Sequence, residues 1–285
     1  WGSVTFTLGL GGVLAGLSLI AFPALGWTVI YALLIGGVAC LVAFVAIELR
    51  TTQPMLDLNL FNDWRFASAN AANLLNGLAR GSVLFLLIFF LQGPDGKNPL
   101  TAGIMMAPFG LVFLLFGPLS GHLSDHIGAR GLGTAGLIAS AAGLVGLSTI
   151  TSATPYWQLA LWMGVTGAGS GLFNSPNTNV IMSSVQPERR GVAAGIRTML
   201  GNTGQMLSIA IAFPLVLSHL PQDVMMKIFL YGGGLQENAS ALATFQGGFR
   251  AALLISCAIS LVAAALSALQ PSHRPRLEAS PREHE

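Results

Sequence analysis

GPLSGHLSDHIGAR, residues 117–130, separates two runs of almost purely apolar sequence. Only 8% of the chain's 285 residues are charged, yet Asp125, His126 and Arg130 stand together here, spaced by Gly121 and Gly128. A short polar turn between long apolar runs is the pattern of a chain crossing a bilayer face. On this reading the turn joins two spanning helices, and Asp125 and Arg130 are placed to latch them. Gly121 and Gly128 would keep side chains out of a close crossing.

The composition agrees with a lipid solvent. The chain is 53% hydrophobic with 35 glycines, and its mean hydropathy is +0.69. A soluble domain carries about a quarter charged residues. Apolar runs of spanning length fall at 4–26, 28–48, 66–91, 100–122, 132–150, 156–181, 193–217 and 249–269. A bilayer core of ~30 Å needs about 20 apolar residues per helix, so the sequence predicts an all-α membrane protein of about eight transmembrane helices. The segments are too long, and alternate too little, for barrel strands.

A formal net charge of +2, with scattered basic residues, excludes a nucleic-acid surface. Cys40 and Cys257 fall inside apolar runs, against a disulfide framework. Trp1 opens the chain without a methionine or a basic leader, which reads as a cut in a longer protein. Residues 271–285, rich in Arg, Glu and Pro, read as a disordered tail. Alternate connections place Arg50, Arg65, Arg130, Arg189, Arg190, Arg274, Arg276 and Arg282 on one side and Lys97, Lys227 and Arg250 on the other. Loops rich in Lys and Arg stay inside, so both ends of the chain and the 117–130 turn are expected in the cytoplasm.

Polar residues within spans are the candidate site. In the third span Asn70, Asn73, Gly77 and Arg80 share one helical face, with Asn76 at its edge. Arg80 lies about 15 residues in, ~22 Å along the helix axis. A charge at that depth costs ~2.5–3.5 kcal/mol on insertion scales, so it should face a wet cavity or a partner. No span interior holds an Asp or Glu to pair with it. Either Arg80 lines a transport cavity, or backbone carbonyls and Asn side chains satisfy it as a structural residue.

The seventh span repeats the motif with Arg197, Gly201, Gln205 and Ser208. Arg197 is near enough to the span end to snorkel into headgroups, whereas Gln205 is a cavity candidate. In the sixth span Pro176 removes a backbone donor, which predicts a kink or unwinding beside Asn174, Asn177 and Asn179, or else a helix end. GxxxG-type pairs at Gly12/Gly16, Gly117/Gly121, Gly167/Gly171 and Gly191/Gly195 predict close helix packing.

Enzyme motifs fail. The GAGSG of residues 167–171 lacks the lysine and preceding strand of a nucleotide loop. Ser170 has no activating His or Asp at its depth. His122, Asp125 and His126 at one exposed helix end make a poor metal site, and Asn238-Ala-Ser240 is a formal glycosylation sequon. No catalytic residue and no metal ligand is expected.

Gly121-x-Leu-Ser-Asp125-x-x-Gly128-x-Arg130 resembles the signature loop of the major facilitator superfamily, departing from it at His126 and Gly131. Residues 91–110, 169–205 and 48–70 are similar in order to the fourteen-span drug:proton antiporter branch, the EmrB/QacA type. The resemblance covers about Trp1 to Gln270. It implies a layout: 1–62 as two extra helices and a linker, 63–270 as the C-terminal six-helix half, 271–285 as a tail. It further implies a multi-pass transporter of the plasma (inner) membrane that exports drug-like or amphipathic small molecules by alternating access. No cofactor is implied, only the proton gradient as energy source. The partners would be the lipid bilayer, a small-molecule substrate and an N-terminal six-helix half carrying the coupling carboxylates. The substrate cavity would draw on Asn70, Asn73, Asn76, Arg80, Asn174, Asn177 and Gln205. An importer or lipid exporter on the same scaffold, a non-transporting scaffold and an intramembrane enzyme are the competing readings.

Overall fold

The computed structural model describes residues 2–20, 26–51, 56–217 and 239–270; the expected tail 271–285 and Asn238 of the sequon lie outside them. Among the described residues the regular elements are all helical: α1 (Gly2–Leu19), α2 (Trp27–Glu48), α3 (Trp64–Gln92), α4 (Pro99–Met105), α5 (Ala107–Ile127), α6 (Ala129–Ser148), α7 (Tyr156–Ser183), α8 (Arg190–Leu217) and α9 (Ala239–Ala268). Short 3-10 turns at Leu58–Asn62 and Pro187–Arg189 precede α3 and α8. Seven stretches among the described residues are both long and apolar enough to span a membrane, with α4 and α5 counted as one. The remaining predicted span, the sixth, is α7, which has 28 residues but is not apolar enough to be counted with them. The reason is its position: from Gln158 to Thr178 only Leu161 is exposed, so lipid sets little of its composition.

Boundaries shift where local chemistry dictates. The predicted span at 100–122 divides at Met106, because Pro108 has no N–H to return to Ile104. Asn98 caps α4 by accepting from the Thr101 N–H at 2.8 Å, with Pro99 in its first turn. The turn expected between the spans 100–122 and 132–150 contracts to Gly128 alone, whose φ of 93° reverses the chain between α5 and α6. Backbone geometry explains this glycine, since a Cβ there would meet nothing within 4 Å. Pro176 sits inside a continuous α7, so the expected unwinding is not found. Arg250, counted with the outer connections although the predicted span begins at 249, lies well inside α9, which starts at Ala239.

The packing of α3 to α9 follows a duplicated plan. α3 packs along α8, and α7 packs along α5. α9 joins α3, and α6 joins α7, while α6 and α9 meet each other. Exchanging the set α3, α5, α6 for α7, α8, α9 returns the same pairs. Each set crosses the layer three times, so the second runs opposite to the first. This is an inverted repeat. α1 and α2 form a hairpin in which Gly12 faces Gly37, and α1 leans on α8. Their outer faces expose Val4, Leu8, Ile35, Val38 and Val42, an apolar surface suited to lipid.

Two apolar clusters divide the bundle by depth. At the arginine-rich end Phe66, Ala69, Ile181, Ala193 and Ile196 pack with Phe44 and Leu56. At the opposite end Leu87, Phe90, Leu91, Leu144, Met163, Phe245 and Phe249 form the larger core, with Phe90 stacked on Phe249 at 5.1 Å between centroids. A third, smaller cluster, Ala72, Leu137, Phe173, Ala263 and Ala264, joins α3, α6, α7 and α9, while beside the α3–α8 crossing the structure turns polar.

Candidate functional site

The polar level is built on the α3–α8 crossing. A Cβ on Gly77 would fall on the Gly201 carbonyl, one on Gly81 on the Gln205 carbonyl, and one on Gly204 on the Leu74 carbonyl. Only glycine permits backbones this close. Asn73 Nδ2 donates to the Arg197 carbonyl at 2.7 Å, and the Ser82 N–H donates to Ser208 Oγ at 2.8 Å. The two helices therefore hold a fixed register, and the side chains beside the seam point into one space.

That space is a cavity of about 200 Å3 lined by Asn73, Asn76, Gly77, Arg80, Asn174, Arg197, Thr198, Gly201, Asn202 and Gln205. Arg80 carries its guanidinium over the Phe113 ring of α5, 5.4 Å from the centroid. Arg197 Nη2 donates to Asn174 Oδ1 of α7, while its Nε is buried without a partner. The two ion pairs described, Lys97–Asp95 and Arg189–Asp57, lie at the ends of the bundle. Among the described residues no carboxylate pairs with either cavity arginine.

Of the residues expected at the cavity, Asn73, Asn76, Arg80, Asn174 and Gln205 line it, and Asn70 and Asn177 do not. Asn70 is fully buried and donates to the Phe66 carbonyl at 3.0 Å. It shares the helical face of Asn73 but lies one turn nearer the arginine-rich end, where the Phe66–Ile196 cluster fills the bundle. Asn177 is buried, and neither of its amide atoms has a partner. Arg197 reverses its expected role: α8 begins at Arg190, so Arg197 lies two turns inside the helix and lines the cavity instead of snorkelling. Thr198 and Asn202 were also missed. The repeat of Arg197, Gly201 and Gln205 on one face was the signal for them.

The two glycines of the loop motif play different parts. Gly121 approaches α7, where a Cβ would lie 3.3 Å from Ser175 Oγ. Arg130 is exposed in the first turn of α6, and the side chain of Asp125 lies outside the described residues. Glu48, at the end of α2, is buried and accepts from the Leu56 N–H at 2.9 Å, tying α2 to the linker. Of the four glycine pairs, Gly12/Gly16 and Gly167/Gly171 are packed seams, whereas Gly191 and Gly195 face open space, as does Gly117.

The chain resembles known proteins along its length. The family model described as Major Facilitator Superfamily matches residues 1–209 and, overlapping, 69–285. The multidrug resistance protein Stp of Mycobacterium tuberculosis is 34% identical over 214 residues, 74% of this chain and 39% of that protein. The methylenomycin A resistance protein of Streptomyces coelicolor is 30% identical, over 84% of this chain and 49% of its own. The riboflavin transporter RibZ of Clostridioides difficile is 29% identical, over 61% of this chain and 39% of its own. The chain thus spans less than half the length of each of these relatives. An inverted repeat of spanning helices around a polar cavity, matched along its length by this family, makes the chain a multi-pass membrane protein that belongs to the major facilitator superfamily.

Proposed function

We propose that the chain is the C-terminal part of a proton-coupled exporter of drug-like or amphipathic small molecules. Residues 1–62 form an added helix pair and linker, 63–270 one rocking half of an alternating-access transporter, and 271–285 a cytoplasmic tail. The protein sits in the plasma (inner) membrane with both ends of this chain in the cytoplasm. An opposing six-helix half supplies the second wall and the proton-carrying carboxylates. The proton gradient supplies the energy, without a cofactor.

One observation carries this reading: a cavity lined by two arginines and six polar side chains, Asn73, Asn76, Asn174, Thr198, Asn202 and Gln205, within an apolar bundle. Ionisable groups held inside a membrane mark solute and ion paths. The open glycines Gly103 on α4, Gly110 and Gly117 on α5, and Gly191 and Gly195 on α8 support an opposing half. Small residues serve close helix contact, and lipid gains nothing from them. The relatives named for multidrug and methylenomycin A resistance support export of foreign molecules.

The test is the full-length protein in proteoliposomes under an imposed proton gradient. Solute movement that follows the gradient and stops with a protonophore is the expected result; flux indifferent to the gradient overturns proton coupling. A second reading, transport of a nutrient-like solute on the same scaffold, rests on the relative named a riboflavin transporter. Riboflavin flux in the same vesicles, with the gradient applied in each direction, separates the two.

A further inference from the structure

We infer that the cavity selects an amphipathic solute bearing a carboxylate, gripped between Arg80 and Arg197; this rests on the reading of the cavity as a solute site. The two guanidiniums enter one cavity from α3 and α8. They cannot drift apart, because the Gly77–Gly201 contact and the Asn73 bond to the Arg197 carbonyl lock the helices that carry them. Two like charges in a low-dielectric layer repel strongly. The lining offers them no carboxylate.

Their donors are correspondingly underused. A guanidinium has five N–H groups in a planar fork. Arg197 commits Nη2 to Asn174, and its Nε has no partner. The Arg80 Cζ lies over the Phe113 ring, 5.4 Å from its centroid, and a cation held by a ring in this way spends no N–H donor on a hydrogen bond. A carboxylate between the two forks receives charge-assisted hydrogen bonds from both sides. Asn76, Asn202 and Gln205 add neutral donors around it. A cationic solute meets the same two positive charges with no anion to offset them, so the geometry discriminates by repulsion as well as attraction.

The test uses the purified full-length transporter and three matched probes: naphthalene-2-carboxylate, its methyl ester, and 2-naphthylmethylammonium. Equilibrium dialysis is expected to show the carboxylate binding tighter than either of the others by about tenfold or more. Arg80→Gln and Arg197→Gln should each bring the carboxylate down toward the level of the ester, the carboxylate losing more affinity than the ester. Arg80→Lys and Arg197→Lys should keep part of the preference, since charge remains but the fork is lost. Size-exclusion profiles establish that each variant is folded.

Absent carboxylate binding, equal affinities or a preference for the ammonium overturns the inference. So does an equal loss of all three probes in the Gln variants, which would give the arginines to a carboxylate of the opposing half. Proton-driven flux separates this inference from the exporter reading. Carboxylate binding without flux would overturn only the exporter, and export of the ammonium in preference would overturn only the anion.

Discussion

The α3–α8 and α7–α5 pairs are built alike and carry different chemistry. In the first, Gly77 meets the Gly201 carbonyl and Gly81 the Gln205 carbonyl; in the second, Gly167 meets the Phe109 carbonyl and Gly171 the Phe113 carbonyl. The spacing is the same on all four helices. A serine on the second helix of each pair reaches the backbone of the first: Ser208 accepts from the Ser82 N–H, and Ser120 Oγ shares its proton between the Gly171 carbonyl at 3.1 Å and the Gly117 carbonyl of its own helix at 2.7 Å. Counting along the helices from the paired contacts, Ser170 corresponds to Arg80 and Phe113 to Gln205, while the position corresponding to Arg197 is Met105, in α4 beyond the break at Met106. One repeat keeps the packing device and drops the charge. The seam and the site are therefore separable, the first a property of the duplicated scaffold and the second of one copy.

The largest expected effect tests the shared device. Gly77→Leu and Gly167→Leu each drive a side chain onto a carbonyl of the partner helix, which has nowhere to move. Overpacking of this kind costs about 1–3 kcal/mol or more, and both variants should lose the folded peak in size-exclusion of the full-length protein. Gly36→Leu is the control, because Gly36 is exposed and a Cβ there meets nothing within 4 Å. A folded Gly167→Leu beside an unfolded Gly77→Leu would break the equivalence of the seams.

The second effect separates charge from packing. Arg80→Leu removes a cation held near mid-span, whose burial costs ~2.5–3.5 kcal/mol on insertion scales. The variant should melt at the same or a higher temperature than the parent and yet lose most of its transport. Phe113→Leu removes the ring beneath Arg80, a contact estimated at ~0.5–2 kcal/mol, and should weaken transport less. Arg80→Leu transporting at the parent rate would leave the cavity without a role.

How far this contrast was legible from sequence differs between fold and site. Span lengths were visible because bilayer thickness imposes them, as at α3, predicted from 66 to 91 and found at Trp64–Gln92. The inverted repeat was not visible: its two seams share little beyond paired glycines, and a chain with 35 glycines offers many such pairs. Arg80, Asn73, Asn76 and Gln205 could be found from helical period alone. Asn70 shows the limit of that argument, since period gives the face but not what fills the bundle at each depth. Arg197 failed for the opposite reason. Its distance from the span end suggested headgroups, but Asn174 on another helix takes its guanidinium, and a partner from α7 cannot be read from α8.

A third, smaller effect concerns the bond found only in the charged pair. Asn73→Ala leaves the Arg197 carbonyl without its side-chain donor and should cost roughly 0.6–1.7 kcal/mol, the range measured for bonds between membrane helices. A fall in melting temperature accompanied by weakened solute binding would show that this bond positions Arg197.

The smallest effect is the sharpest check on separability. Ser208→Ala and Ser120→Ala each remove one hydroxyl from a seam, yet Ser82 and Gly171 stay inside continuous helices that satisfy their backbone groups. Each variant should therefore cost only about 0.6 kcal/mol, equal within error in thermal melts, and neither should change which solutes bind. Ser208 stands one turn beyond Gln205 on α8, so it is the pin nearer the cavity lining. If Ser208→Ala alters selectivity while Ser120→Ala does not, seam and site are coupled in the charged copy. The duplication would then have divided the scaffold's work, with one crossing tuned to the solute and its twin left to hold the bundle.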